Sequence, residues 1–414
     1  MVVAEIVAIG SELLRGPNVD INGTFLALRL AEIGIDVRFR TVVGDDRGEI
    51  LDSLTHALSR ATVVVTSGGL GPTEDDLTRE VLATLFKRPL QTDLPTLDRI
   101  RERASRRGFS LTEGARRMAE IPRGAELLPN REGSAPGILI EEAGRLLVAL
   151  PGVPSELKPM VTEALIPRLA HLVPLGFEIR SRTLKACGPV ESEVDRLLGD
   201  LWESKNPVLG ILVSPGEVHI RLTARGRPGE VGKLLHEVET EVRRRLGIDC
   251  FGADDERLED VVGRLLSSRR GTVALAESCT GGLVGHRLTN VAGSSTYFEQ
   301  GMVMYSNRAK VDILKVPEML LERHGAVSAE VALAMARGAR QMTGSDYGLA
   351  VTGIAGPAGG TPAKPVGLTY IGLADPRGEI SREYRFLGGR EENKWRASQM
   401  ALDLLRRRLL EAGG

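Results

Sequence analysis

The stretch Val63-Val64-Val65-Thr66-Ser67-Gly68-Gly69-Leu70-Gly71-Pro72-Thr73-Glu74-Asp75-Asp76-Leu77-Thr78 runs from β-branched apolar residues through glycines into acidic ones. A strand covered on both faces reads as such a continuous apolar run, and in a doubly wound sheet ligands bind past the carboxyl ends of the strands. The glycines free backbone amides that suit phosphate oxygens. Asp75 and Asp76 could hold a hard divalent cation together with those oxygens. A helix capped by Thr73, with acidic residues in its first turn, explains the carboxylates as well. It leaves the Gly-Gly-Leu-Gly-Pro run unexplained.

Strands of the same kind are expected at 4–9, 37–43, 61–66 and 146–150, with helices at 22–34 and 49–59 between them. This βαβα rhythm implies an α/β domain, a mostly parallel sheet with helices on both faces, ending near residue 170. Glu12, Asp20, Asn22, Asp45, Asp46 and Glu156 each fall just past a strand and can reach the same edge. Each alone is a weak signal, because polar residues belong in such loops. From 176 to 252 the rhythm changes to a small α+β module: a strand at 178–187, a helix at 191–201, a strand pair at 208–214 and 217–224 turned by Pro215-Gly216, and a charged helix at 230–246. A second parallel α/β unit opens at 257 with a helix to 268 and a strand at 272–276, and runs to 414.

That last strand leads into Ala276-Glu277-Ser278-Cys279-Thr280-Gly281-Gly282. Ser278 at a helix start would sit among free amides that favour a phosphate or the oxyanion of acyl transfer, or would simply cap the helix. Tyr305-Ser306-Asn307-Arg308-Ala309-Lys310 follows another apolar run. Lys310 could serve as general base if burial or a cation such as Arg308 lowers its pKa; a solvated helix-start lysine is the plainer reading. A third segment, 349–357, is a strand running into glycines, without the Gly-Lys-Ser/Thr of a P-loop. Spacing alone does not join the three. His286 lies within a helical apolar pattern and reads as structural or surface, and neither it nor His324 has a companion carboxylate motif. Cys279 reads as a small packing residue.

Composition narrows the function classes. At 414 residues the chain is too long for one core. Lys and Arg total 54 against 55 Asp and Glu, a net charge of −1, so a dedicated nucleic-acid binder with its basic surplus is not expected. Three cysteines, far apart, offer neither a disulfide framework nor a zinc site. No apolar stretch approaches the roughly 20 residues of a membrane span, and the N-terminus lacks the basic segment of a signal peptide. A cytoplasmic protein is the expectation. The 48 glycines fit backbone-lined small-molecule sites, and equally an α/β protein packed with small residues.

The segments ESCTGG (277–282), YSNRAK (305–310), TGIAGPAGGTPAKPVG (352–367) and GGREENK (388–394) occur in the order seen in the nicotinamide-nucleotide amidase (NMN deamidase) family, which this half resembles. The resemblance implies that Ser278 is the nucleophile and Lys310 its base, that nicotinamide mononucleotide is deamidated with release of ammonia, and that no cofactor is needed there. Tyr305, Thr352, Thr280, Gly281, Gly282, Gly353, Gly356, Arg390 and Lys394 would form the substrate pocket. GSELLRG (10–16), VGDD (43–46), SGGLGPTEDDLT (67–78), GSAPG (133–137) and LPGVPSE (150–156) resemble the molybdopterin-binding fold, and more closely the N-terminal domain of the CinA family. That resemblance implies an ADP-ribose pyrophosphatase yielding AMP and ribose 5-phosphate. Its substrate would lie on Gly68, Gly69, Gly71 and Thr73, with a divalent metal, and room for a monovalent cation, at Asp75, Asp76, Asp45 and Glu156. The middle module resembles the KH-like connector of the same family. It lacks the GXXG loop of RNA-binding KH domains, so spacing or dimer contacts are expected of it. A homodimer is the family expectation.

Three positions depart from the family pattern. Ile21 stands in the middle of a common Asp-Thr-Asn, whose polar ends survive as Asp20 and Asn22. Lys394 stands where a second Arg is common, and the two are not equivalent toward a bidentate anion; Arg396 is the candidate substitute. Lys315 stands where a Gly is usual and reads as a harmless surface change. The competing readings are an amidase with a non-catalytic, pterin- or nucleotide-binding N-terminal domain, and a non-catalytic accessory protein of competence or DNA repair.

Overall fold

The computed structural model describes residues 2–16, 18–106, 108–171, 178–227 and 229–411. The expected start of the middle module at 176 lies outside them. The chain divides into two compact units, Met1–Arg180 with Ala224–Leu234, and Ser181–Thr223 with Leu235–Gly414.

In the first unit six strands lie in the order Asp36–Val43, Val3–Ile9, Val63–Ser67, Arg145–Leu150, Gly137–Glu142, Glu126–Leu128. The first four are parallel, and Gly137–Glu142 runs antiparallel to both of its neighbours. The period-2 alternation of a strand sorts its residues between two cores. Val7, Ile9 and Val64 pack with Ile50, Leu54, Val81 and Leu82 on one face. Ala4, Ile6, Val63 and Val65 pack with Leu26, Leu30, Leu157 and Met160 on the other. Burial of each large side chain contributes about 1.5–3 kcal/mol. The helices Ile21–Glu32 and Arg47–Arg60 are capped by Asp20, which accepts from Gly23 N at 2.7 Å, and by Asp46, which accepts from Gly48 N at 2.8 Å and Glu49 N at 3.0 Å. Capping therefore accounts for two of the carboxylates proposed for the sheet edge.

The middle module is a four-stranded sheet, Val208–Ser214, Glu217–Gly226, Glu178–Ala186, Cys250–Ala253, with helices Glu191–Leu198 and Glu230–Leu246. The helix expected to reach 201 stops at Leu198 and continues as the 3-10 turn Gly199–Glu203.

The C-terminal sheet runs Phe298–Val303, Val273–Glu277, Tyr347–Gly353, Leu368–Asp375, Gly378–Arg385. The first three strands are parallel, and Leu368–Asp375 runs antiparallel to both of its neighbours. One face packs on helices Leu258–Arg269 and Arg390–Glu411, the other on Ala329–Thr343. That last helix lies close because the sheet beneath it is built of small residues. A Cβ at Gly348 would overlap the carbonyl of Ala336, and one at Gly372 that of Ala332. Part of the high glycine content thus serves packing. Three neighbouring parallel strands end at Glu277, Val303 and Gly353, which brings the three segments that spacing could not join to one edge.

Candidate active site

Ser278 follows its strand directly, and its amide donates to Val351 O at 2.9 Å, fixing it beside the end of the central strand. Lys310 lies in the short helix Asn307–Asp312, capped by Ser306, whose hydroxyl accepts from Ala309 N at 3.1 Å. The lysine is 1% exposed. Its Nζ donates to Met304 O at 2.8 Å and Tyr305 O at 3.3 Å, and lies 3.3 Å from Ser278 Oγ. Burial lowers the Lys310 pKa from its ordinary value of 10.5. Arg308 is not the cause: it is exposed and pairs with Asp312 at 3.1 Å. A lysine whose hydrogen-bond acceptors are neutral carbonyls and a hydroxyl has no carboxylate to hold its proton. That is the state a base requires.

The pocket over this pair is about 230 Å³, lined by Ser278, Cys279, Tyr305, Asn307, Lys310, Ala326, Val327, Thr352, Gly353, Ala355 and Arg390. Thr352 is buried and donates to Ala326 O at 2.8 Å. Arg390 opens the last helix; it donates to Gly356 O at 2.7 Å and reaches the exposed Tyr305 hydroxyl at 3.3 Å. Buried Asn393 ties Ala355 O and Gly388 O together at 3.1 and 3.0 Å, and Lys364 donates to His324 O and Val327 O at 2.5 and 2.8 Å. Of the residues that sequence reasoning missed, Asn307 sits inside the YSNRAK segment and was legible there. Ala326 and Val327 carry no polar signal at all. A larger cleft of about 650 Å³ faces the connector hairpin, but it contains neither Ser278 nor Lys310.

Several expectations are corrected. Ser278 does not cap a helix. The helix is Leu283–Thr289, with Gly282 as its N-cap residue. The amides at its start are not open to an anion either, because Gly282 N, Val284 N and Gly285 N all donate to the Glu277 carboxylate. Thr280, Gly281 and Gly282 shape the turn and do not line the pocket; Gly281 and Gly282 have φ of +63° and +97°. Gly356 serves through its carbonyl, on Arg390. Lys394 faces Glu391 at 3.8 Å, and Arg396 pairs with Glu392 at 2.6 Å. Neither lines the pocket, so Arg396 does not stand in for the missing arginine. Lys315 has φ +59°, the left-handed region that explains a glycine there. Cys279 is buried, its thiol pushed up to about 12 mainly by that burial, and His286 is on the surface beside Asn290.

In the first unit a cleft of about 750 Å³ at the sheet's carboxyl edge gathers Gly68, Gly69, Gly71, Thr73, Asp75 and Asp76 with Glu12, Asp45 and Glu156. Gly68 and Gly69 have φ of +115° and +68°, and a Cβ at Gly68 would overlap Ile9 O. Buried Arg79 holds the loop by donating to Leu70 O at 2.6 Å and Gly71 O at 3.0 Å. Thr73 is no helix cap: the helix is Thr78–Leu85, and Thr73 instead donates its amide and hydroxyl to Asp76 at 2.8 and 2.5 Å. The Thr73 side chain also holds the neighbouring Asp75 carboxyl below the usual range. Asp45 accepts from Ser11 N at 2.7 Å, and Glu156 from Asn130 Nδ2 at 2.7 Å. Asn22 bonds Ser67 and Gly152 O and does not line the cleft. Among the described residues no three Asp, Glu, His or Cys side chains converge to hold an ion by themselves. A hard cation there would need one or two of these carboxylates plus the phosphate oxygens of a bound ligand.

The chain is similar to known proteins along nearly its whole length. Residues 255–409 match the CinA C-terminal domain, 5–171 a probable molybdopterin binding domain, and 181–252 the damage-inducible protein CinA KH domain. A putative competence-damage inducible protein of Moorella thermoacetica is 45% identical over 408 residues, 98% of each chain. A CinA-like protein of Dictyoglomus thermophilum is 44% identical over 412 residues, 98% of this chain and 99% of that one. The crystal structure of competence/damage inducible protein CihA from Agrobacterium tumefaciens aligns at 38% identity, with 37% of this chain and 97% of that chain covered and a TM-score of 0.36. No helix among the described residues is long and apolar enough to cross a membrane.

Proposed function

The chain belongs to the CinA family, and from that premise we propose that its C-terminal half is a serine/lysine amidase converting nicotinamide mononucleotide to nicotinate mononucleotide and ammonia. The observation that carries the reading is Lys310, buried without a carboxylate partner and 3.3 Å from Ser278 Oγ. Catalytic contacts are often that long before substrate tightens them. Neutral Lys310 takes the Ser278 proton as Oγ attacks the carboxamide carbon. The ammonium so formed returns that proton to the departing nitrogen, which leaves as ammonia from an ester on Ser278. Water then attacks the ester; Lys310 takes its proton and gives one back to Ser278 as the carboxylate product leaves. Arg390 is the cation at the pocket mouth for the substrate phosphate. Product analysis with the purified full chain tests this: nicotinate mononucleotide and ammonia should appear in equal amounts as nicotinamide mononucleotide disappears. Absence of both products would sink the reading.

A second activity is favoured by the glycine-lined, acid-rimmed cleft of the first unit. There we propose hydrolysis of ADP-ribose to AMP and ribose 5-phosphate. A divalent cation held by Asp75 or Asp76 and the substrate would neutralise the pyrophosphate and help activate water. The chain's own contribution is the backbone cradle at 68–71, held rigid by Arg79.

A further inference from the structure

Ser278 is preceded by an acidic residue that the reaction above does not use. Glu277 closes its strand and is 2% exposed. Its Oε2 accepts from Gly282 N at 3.0 Å and Val284 N at 3.1 Å, and its Oε1 from Gly285 N at 2.8 Å. A buried carboxyl group needs donors to replace its lost hydration, and these three amides supply them. The same residue's main chain grips the opposite side of the site. Met304 N donates to Glu277 O at 2.7 Å, and Met304 O is the acceptor that holds Lys310 Nζ at 2.8 Å.

Between these two attachments the chain reverses. Gly281 N donates to Ser278 O at 3.2 Å, and Gly281 and Gly282 both take left-handed backbone. Glycines give such a turn little stiffness of their own. The Ser278 hydroxyl is tied to Lys310 by a single contact of 3.3 Å, so where it points depends on what holds the turn.

We propose that Glu277 is a positioning residue: its carboxylate locks the 278–282 turn onto the start of the following helix, and its carbonyl registers the segment carrying Lys310, keeping nucleophile and base within reach. Because the carboxylate occupies the helix-start amides, the substrate's anionic group is directed to Arg390 instead. The proposal rests on the amidase reading.

The test uses the full chain as Glu277→Gln and Glu277→Asp. Gln keeps the shape but turns one acceptor into a donor facing an amide; Asp keeps the charge but falls a methylene short. The measurements are kcat and KM for nicotinamide mononucleotide, their pH profile, and the rate at which a fluorophosphonate probe modifies Ser278. Misplacement by about 1 Å costs on the order of a hundredfold, so kcat and probe rate should fall together by roughly ten- to a hundredfold. KM should stay within about twofold and the acid limb of the profile should not move. If the Gln variant does not fold, the Asp variant decides, its melting temperature serving as the control. Folded variants with kcat and probe rate within twofold of the parent would overturn the proposal, as would a rise in KM alone. A shifted acid limb with an unchanged plateau would also overturn it, by assigning Glu277 an electrostatic effect on Lys310. A parent that labels at Ser278 but deamidates nothing removes the substrate assignment and leaves Glu277 readable through labelling. A parent that does neither removes the amidase reading and the proposal with it.

Discussion

A lysine buried without a counter-ion is a cost the fold carries for a reason. The depressed pKa of Lys310 means that the unfolded chain binds more protons than the native one between that pKa and 10.5. Its penalty is therefore in full force below the lowered pKa and fades as pH rises toward 10.5. Each tenfold loss of proton affinity on folding corresponds to roughly 1.4 kcal/mol. Lys310→Met, which removes the buried charge, should therefore raise stability over the parent at pH 7. Urea melts should show that advantage shrinking as pH approaches 10.5. On the proposed mechanism the same lowered pKa should place the acid limb of the activity profile below 10.5, with activity rising as the amine becomes neutral. Lys315 illustrates a residue the sequence misreports: exposed and charged, it looks harmless, and only its φ of +59° reveals strain. Lys315→Gly should stabilise the fold by about 1 kcal/mol with unchanged kcat, checked by thermal melts beside an activity assay.

At the scale of elements, strands and helices with strong apolar periodicity were legible because burial on one or both faces writes itself into the residue pattern. Strands at 4–9 and 37–43 and the helix at 230–246 are found where expected, within a residue or two. The antiparallel strand Gly137–Glu142, packed beside Arg145–Leu150, was missed, since a tight hairpin in that acid-flanked stretch carries no helix–strand alternation. The start of the helix after Ser278 was misread for a different reason. The cap is the Glu277 carboxylate, which reaches the helix from the far side of the 278–282 turn, and no local capping rule extends that far. Arg390 shows how one side chain links elements, from the glycine loop at Gly356 O to Tyr305 OH. Lysine cannot reproduce that fork. Arg390→Lys should raise KM for nicotinamide mononucleotide by about tenfold, the value of a charged hydrogen bond, while kcat changes little in steady-state assays. In the acidic turn, Asp76→Asn removes the negative charge that accepts from Thr73 N and Oγ1 and should lower metal-dependent AMP release from ADP-ribose about ten- to a hundredfold. A metal titration read by AMP release, unchanged in this variant, would exclude the turn from the metal's surroundings.

Across the whole molecule, Ser278 and Lys310 were paired in the sequence only through the family resemblance of their segments; the parallel sheet supplies the physical reason, since its topology brings the strand ends before them to one edge. The acid-rimmed cleft was legible as an edge but not as a ligand set, since carboxylates written close in sequence here cap helices and tie turns instead of converging. Each proposed reaction belongs to its own unit, so Ser278→Ala should abolish ammonia release and leave ADP-ribose hydrolysis at the parent's rate. The Ser278–Lys310 chemistry is tested most closely by ammonia release from nicotinamide mononucleotide by the parent, Ser278→Ala and Lys310→Ala proteins side by side. Turnover by the parent, with losses of about a thousandfold or more in both variants, is the predicted result. A parent that turns over while Ser278→Ala retains full activity would contradict it and place the chemistry elsewhere in the chain.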